Sequence, residues 1–260
     1  MPAPAAPAAP EAPEKDGGVR AVERALDILS AFATGDSELL VADLQKRVGL
    51  SRPTLYRLLR TLEKKGFVTG GGEPQRFHLG PALGRIANVW VANLDLAALA
   101  RPVLNDVWAH TRETVALFVP RGDMRLCIAE LRSPQPLSFS RGIGSSERLV
   151  KGASGRAILA FTPLAEGEIE QFAAGTAVDV AWTRKQLELT RERGYAMGHN
   201  ELIQGAWAVA APFFDATGAI AGSVAVFGPD VRLTEAQVHE FGRYLGKAAS
   251  GISRALGWDS

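Results

Sequence analysis

The sequence predicts an α+β protein in two folded parts, and three observations carry that expectation. Composition shifts along the chain although the totals nearly cancel: 29 Lys and Arg stand against 28 Asp and Glu in 260 residues. Residues 1–18 hold one Lys, three acids and five prolines, residues 19–80 ten basic and seven acidic groups, and residues 81–260 eighteen of each. Apolar residues then recur at helical spacing up to about residue 65 and give way to a glycine-rich hairpin pattern. Beyond residue 100, apolar β-branched runs broken by turn signals alternate with helical patterns, which marks antiparallel strands with helices between them. A length of 260 residues fits one large or two ordinary domains, and 47 % hydrophobic residues can supply the core. The Ala/Pro-rich start cannot bury enough apolar surface to offset ordering entropy, so residues 1–18 are expected to be a disordered tail.

The first module is expected over residues 19–80. Val22, Ala25, Leu26, Leu29 and Phe32 share one face of a helix from about Val19 to Ala33. A second helix runs from about Val41 to Val48, burying Leu44 and Val48. Gly49 supplies the positive φ of a tight turn, and Ser51 can cap the next helix, whose first turn accepts Pro53. Leu55, Leu58, Leu59 and Leu62 form that helix's buried stripe, leaving Arg52, Thr54, Tyr56, Arg57 and Arg60 outside it. Gly66 ends it. Strand 67–69, turn 70–74 and strand 75–79 then form a hairpin.

Two helices around a glycine turn, followed by a hairpin, make a winged helix-turn-helix whose second helix enters the major groove. Arg52, Thr54, Tyr56 and Arg57, with Ser51 just before them, would reach bases or nearby phosphates. Arg20, Arg60 and Arg76 would meet phosphates, and Gln75 with Arg76 would touch backbone or minor groove from the wing. The plainer reading of such a basic helix face is a solvated surface. The ordered run of turn, leucine stripe and wing outweighs it. Seven basic residues between 43 and 65 face only Asp43 and Glu63, an excess of five. One protomer should therefore bind DNA weakly, and operator affinity calls for two or more copies.

Other classes are excluded or disfavoured. A single cysteine, Cys127, forbids an intramolecular disulfide framework and any Cys-rich metal site. The four histidines (His78, His110, His199, His239) show no ligand spacing, so no metal or cofactor is expected. No long apolar run suggests a membrane span, and the start lacks the basic and apolar regions of a signal peptide; a cytoplasmic protein without a membrane partner is expected. No catalytic residue stands out. Gly152-Ala153-Ser154-Gly155 is one residue short of a nucleophile elbow, and Glu147 stands where a dinucleotide loop after Gly142 and Gly144 needs glycine. Cys127 lies in an apolar strand pattern and reads as a small buried hydrophobe.

The stretches Arg20–Leu29, Gly49–Leu59 and Phe77–Gly80 resemble the IclR-type winged helix-turn-helix. Ser133–Leu137, Gly152–Ala160, Arg193–Tyr195, Ala210–Pro212 and Gly228-Pro229 resemble, in order, the effector-binding domain of the same family. The resemblance covers about Val19 to Trp258. It implies a bacterial transcription factor with a linker helix over 81–94 and a GAF-like α/β effector-binding domain over 95–258. It also implies a DNA operator, a small-molecule effector, self-association as a dimer or dimer of dimers through the DNA-binding half, and RNA polymerase as a further candidate partner. A GAF-like enzyme with an appended DNA-binding domain, and an architectural DNA-binding protein without a ligand, are the competing readings.

In the second domain, a helix is expected from after Arg101-Pro102 to about Thr111, then a hairpin of Thr114–Val119 and Met124–Leu131. Helices follow over Ala153–Phe161 and Thr183–Arg193, a second hairpin over Ala208–Phe214 and Ala219–Phe227, and a final helix opened by Thr234. Gly152, Ala153 and Ser154 at a helix start would let a carboxylate approach backbone N–H groups, although small residues there equally suit close helix–sheet packing. The resemblance places this loop in the effector pocket. Departures from the family's pattern point to a drier pocket: Gly198 and His199 replace an acidic pair, Ala208 beside Trp207 replaces Cys or Ser, and Ala225 and Phe227 replace small polar residues. An aromatic or otherwise hydrophobic carboxylate from a catabolic pathway is therefore expected as effector, with His199 or Ser154 at its head group.

Overall fold

The computed structural model describes residues 19–33, 36–92 and 94–259. The expected tail, 1–18, lies outside the described residues. The chain divides after residue 93 into two compact units.

In the first unit, α1 (Arg20–Ser30) carries two apolar stripes rather than one. Ile28 is fully buried, with Ala25, Leu29 and Phe32 packed beside it, a spacing of three, four and seven that marks the face turned to the core. Val22 and Leu26, expected in that face, are 55 % and 56 % exposed and continue outward with Val19. Periodicity finds an apolar face; it does not say whether the same chain covers it. β1 (Leu39–Leu40), α2 (Val41–Val48) and α3 (Arg52–Lys64) follow. Gly49 closes α2 at φ +62°, as its place in the turn requires. Leu55 and Leu59 are fully buried and Leu62 nearly so, joining Leu44, Val41 and Phe77 in one core.

The hairpin consists of β2 (Val68–Gly71) and β3 (Arg76–Leu79). The two-residue β1, too short for any sequence pattern, adds a third strand beside β3, with Leu39 opposite Phe77. Gly70 faces Phe77 across the hairpin, where a Cβ would come within 2.6 Å of the ring. α4 (Pro81–Ala92) completes the unit.

The second unit begins with α5 (Leu96–Thr111), capped by Asp95, whose side chain accepts from the Ala98 N–H. The helix starts earlier than Pro102 suggests. Pro102 sits inside it and is exposed, so the hydrogen bond its missing N–H forgoes lies on the solvent side. The strands β4 (Thr114–Arg121), β5 (Met124–Leu131), β6 (Ser146–Arg148), β7 (Ala196–His199), β8 (Ala206–Phe214) and β9 (Ile220–Pro229) form one antiparallel sheet, ordered β6-β5-β4-β9-β8-β7. Between and after them run α6 (Gly152–Leu159), α7 (Glu168–Ala173), α8 (Val180–Arg193) and α9 (Glu235–Ala255). The final helix carries a full capping box between Thr234 and Gln237.

Strand alternation sorts the core into two layers. Val115, Leu117, Val209, Val224 and Val226 pack with α5 and α9. Ala116, Phe118, Ala210, Ala225 and Phe227 pack with α6 and α8. Small residues on that second face leave room between the sheet and the start of α6.

Candidate functional site

On α3, the residues expected to meet DNA divide by exposure. Ser51, Arg52, Arg57 and Arg60 are exposed, and none of these arginines pairs with a carboxylate among the described residues. Thr54 and Tyr56 are half-buried. Tyr56 packs on the leucine core, and the Arg52 guanidinium lies 5.7 Å from its ring centroid, which steers Arg52 at the start of the helix. Ser51 occupies the N-cap position but does not cap by its side chain; its Oγ lies 2.9 Å from the Thr54 Oγ1 instead. The hydroxyl pair keeps both side chains at the helix start, where the partial positive charge of the N-terminus favours an anion.

Arg20 is exposed at the first position of α1. Gln75 and Arg76 are exposed on the wing, and Arg76 is held by an ion pair with Glu38. A phosphate reaching Arg76 would compete with that carboxylate. Arg47 is likewise engaged, 2.5 Å from Asp36, whose carboxyl it holds below the usual range through this hydrogen bond, aided by the Ala33 N–H.

In the second unit a cavity opens between the sheet face and α6, with about 530 Å³ of empty space including its mouth. Gly152, Ala153, Ser154, Gly198, Ala208, Ala225 and Phe227, all expected to contact a ligand, do line it. His199 and Trp207 do not. Gly198 pairs with Ala208 and His199 with Trp207 across β7 and β8, and successive residues of a strand point to opposite faces. Gly198 and Ala208 thus face the cavity while their neighbours face away. There His199 stacks on Trp207 with ring centroids 4.3 Å apart, and its Nε2 lies 3.0 Å from the Asp230 Oδ2. The head-group role expected of His199 fails for that reason.

Sequence reasoning missed the cavity's charged groups: Arg125, Arg141 and Glu201 line it together with Phe118, Leu202 and Ile203. Arg125 is 1 % exposed on β5. Its parity with buried Cys127 was the available signal, since residues two apart on a strand share a face. Glu201 forms a forked pair with the wholly buried Arg156 of α6, with Nη1–Oε2 at 2.5 Å and Nη2–Oε1 at 2.6 Å. Arg156 also donates to the Met197 carbonyl at 2.5 Å, and its guanidinium lies 4.9 Å from the Trp182 ring centroid. The Gly152 N–H donates to Glu201 Oε2 at 3.1 Å, so a carboxylate of the chain itself already sits at the first residue of α6. Gly152 adopts φ +73°, and a Cβ there would collide with Leu202.

Cys127 is fully buried, and burial pushes its thiol up to about 11, as a small hydrophobe requires. Among the described residues, no helix is long and apolar enough to cross a membrane.

A basic recognition helix with a three-stranded wing, followed by a sheet domain with a cavity between sheet and helix, defines a class of DNA-binding regulators. The sequence profile described as "Bacterial transcriptional regulator IclR C-terminal" matches residues 89–254, and that of the "IclR helix-turn-helix domain" matches residues 21–70. The chain belongs to the IclR family of transcriptional regulators. The HTH-type transcriptional regulator BhcR of Paracoccus denitrificans (strain Pd 1222) is 30 % identical over 244 residues, covering 91 % of this chain and 87 % of that protein. The HTH-type transcriptional repressor AllR of Escherichia coli (strain K12) is 28 % identical over 249 residues, covering 92 % and 91 %. The crystal structure of HmgR from Pseudomonas aeruginosa superposes with a TM-score of 0.75 at 26 % identity, covering 93 % of this chain and all of that one. BhcR and AllR are, by their names, a transcriptional regulator and a transcriptional repressor.

Proposed function

We propose that this transcriptional regulator reads a DNA operator with α3 and the wing, and that an organic acid bound in the cavity beside α6 modulates that binding. Arg52, Thr54 and Arg57 meet bases or adjacent phosphates; Arg20, Arg60 and Arg76 meet phosphates, with Gln75 beside Arg76. α4 serves as the linker between an operator-reading half and an effector-sensing half. The observation that carries the effector reading is the cavity's wall: Ala153, Ala206, Ala208, Ala225, Phe118 and Phe227 offer an apolar body its complement. A hydrophobic or aromatic carboxylate fits that wall better than a small keto acid, which would leave most of the apolar surface uncovered.

The exposed stripe of Val22 and Leu26 on α1 and Val19 just before it, with Ile86 at 56 % exposure on α4, supports self-association through the operator-reading half. Two copies on one operator supply the charge that a single protomer lacks. Ligand binding then acts by its differential affinity for two arrangements of the paired units.

Calorimetry of the intact protein against benzoate, phenylacetate, pyruvate and glyoxylate tests the effector class. At least one aromatic acid is expected to bind more tightly than both keto acids. Pyruvate or glyoxylate binding more tightly than every aromatic acid would contradict it.

A further inference from the structure

One buried cation in the cavity wall has no carboxylate partner among the described residues. The Arg125 Nη1 donates to the carbonyls of Arg148 at 2.7 Å and Lys151 at 2.8 Å, which fixes the guanidinium against the segment leading into α6. Among the described residues its buried Nε has no hydrogen-bond partner and no hydrogen bond engages Nη2. Nη2 lies 3.4 Å from where a Cβ on Gly152 would sit, so the open edge of the guanidinium adjoins the first turn of α6.

The surrounding charges do not compensate it. Glu201 is committed to the Arg156 fork, and Glu147 lies 3.7 Å from Arg141 and 3.8 Å from Lys151. Three guanidiniums, Arg125, Arg141 and Arg156, thus share two carboxylates. Burial, then repulsion from Arg141, lowers the Arg125 pKa to about 10, which leaves it cationic at neutral pH. A buried charge without a counter-ion is costly, and a fold retains one where a ligand supplies the opposite charge. The helix start next to it adds partial positive charge of the same sign.

We propose that Arg125 is the anchor for the ligand's charged end: a single carboxylate docks on its Nε/Nη2 edge beside the first-turn amides of α6. The inference rests on reading this cavity as the effector site, and names the group that selects acids over neutral molecules of the same shape. Nε and Nη2 form a planar two-donor fork that matches a carboxylate's two oxygens. One uncompensated cation calls for a monoanion, and the ligand's body then lies along Ala206, Ala208, Ala225 and Phe227. Ser154, at 7 % exposure in the same turn, borders the head group without carrying its charge.

The test compares each acid with its neutral amide: benzoate with benzamide and phenylacetate with phenylacetamide, by calorimetry on the intact wild type, Arg125→Gln and Arg125→Lys. The wild type is expected to favour an acid over its amide by at least 30-fold, Arg125→Gln by less than 3-fold, and Arg125→Lys by an intermediate ratio. Thermal melts establish that the variants fold; should Arg125→Gln not fold, a clear fall in the ratio in Arg125→Lys decides the matter. An undiminished acid preference in folded Arg125→Gln would overturn the anchor and leave the effector reading standing. Amides binding the wild type as tightly as acids would overturn the anion site while leaving a ligand sensor. No binding by any of the four compounds would overturn both.

Discussion

The arginines of the two units live in opposite surroundings, and the contrast separates two kinds of recognition. Arg52, Arg57 and Arg60 stand on the outer face of α3, exposed and without ion pairs among the described residues. Arg125 and Arg156 are 1 % and 0 % exposed in the second unit; Arg156 pairs with Glu201, and Arg125 has no counter-ion among the described residues. A surface cation costs little to keep unpaired, because water and salt screen it, so a helix can hold several ready for a polyanion. A buried cation must be paired or matched to a ligand. On the reading proposed above, the first unit makes many weak, salt-sensitive contacts and the second one strong and specific contact.

Substitutions on the two sides of this contrast should fail differently. The largest effect is expected at Arg156, where Ala would strand the Glu201 carboxylate and destabilise the second unit by about 3–5 kcal/mol, measured by urea denaturation. A loss below about 1 kcal/mol would mean the pair is not the structural element its fork suggests. Arg57→Ala should leave the melting temperature unchanged while weakening specific DNA binding on the order of 10- to 100-fold. A gel shift with unchanged affinity would remove α3's outer face from the account.

A smaller effect is expected at Glu130, which anchors the loop beside Arg141. Burial alone would raise its pKa; hydrogen bonds from the Ser140 hydroxyl and the Gly142 and Arg141 N–H groups outweigh that and lower it below 4.5. A carboxylate with a depressed folded pKa stabilises above its unfolded value and loses that contribution as pH falls through the folded one. Glu130→Gln should therefore cost about 1–2 kcal/mol at pH 7 and flatten the acid limb of stability below about pH 4.5. The least effect belongs to Cys127: with its thiol pushed up to about 11, it should resist a thiol-reactive dye at pH 8 in the native protein and react only on unfolding.

What was legible in the sequence follows the same division. The turn at Gly49, the leucine stripe of α3 and the hairpin around Gly70–Pro74 announce themselves because helix and turn signals are local. β1 escaped because two residues form no pattern, and its pairing with β3 is a long-range event. Val22 and Leu26 were misplaced because an apolar stripe on a helix need not face the chain's own core. In the cavity, the residue types were legible and the geometry was not. Taking consecutive residues 198–199 and 207–208 as one lining ignored the strand period of two, which sends His199 and Trp207 to the opposite face. Arg125, Arg156 and Glu201 went unnoticed because charges in amphipathic elements ordinarily face water. Only the parity of Arg125 with Cys127 pointed inward.

The regulation proposed above requires energetic coupling between the cavity beside α6 and the outer face of α3. Its most direct measurement is fluorescence anisotropy with the DNA upstream of this chain's own gene, titrated with and without the tightest-binding acid of the panel. The saturating acid is expected to change the dissociation constant by about 5-fold or more, the lower end of ordinary allosteric coupling, and Arg125→Gln to abolish the change at the same acid concentration. An acid that binds the cavity while leaving the DNA affinity of the wild type unaltered would contradict it.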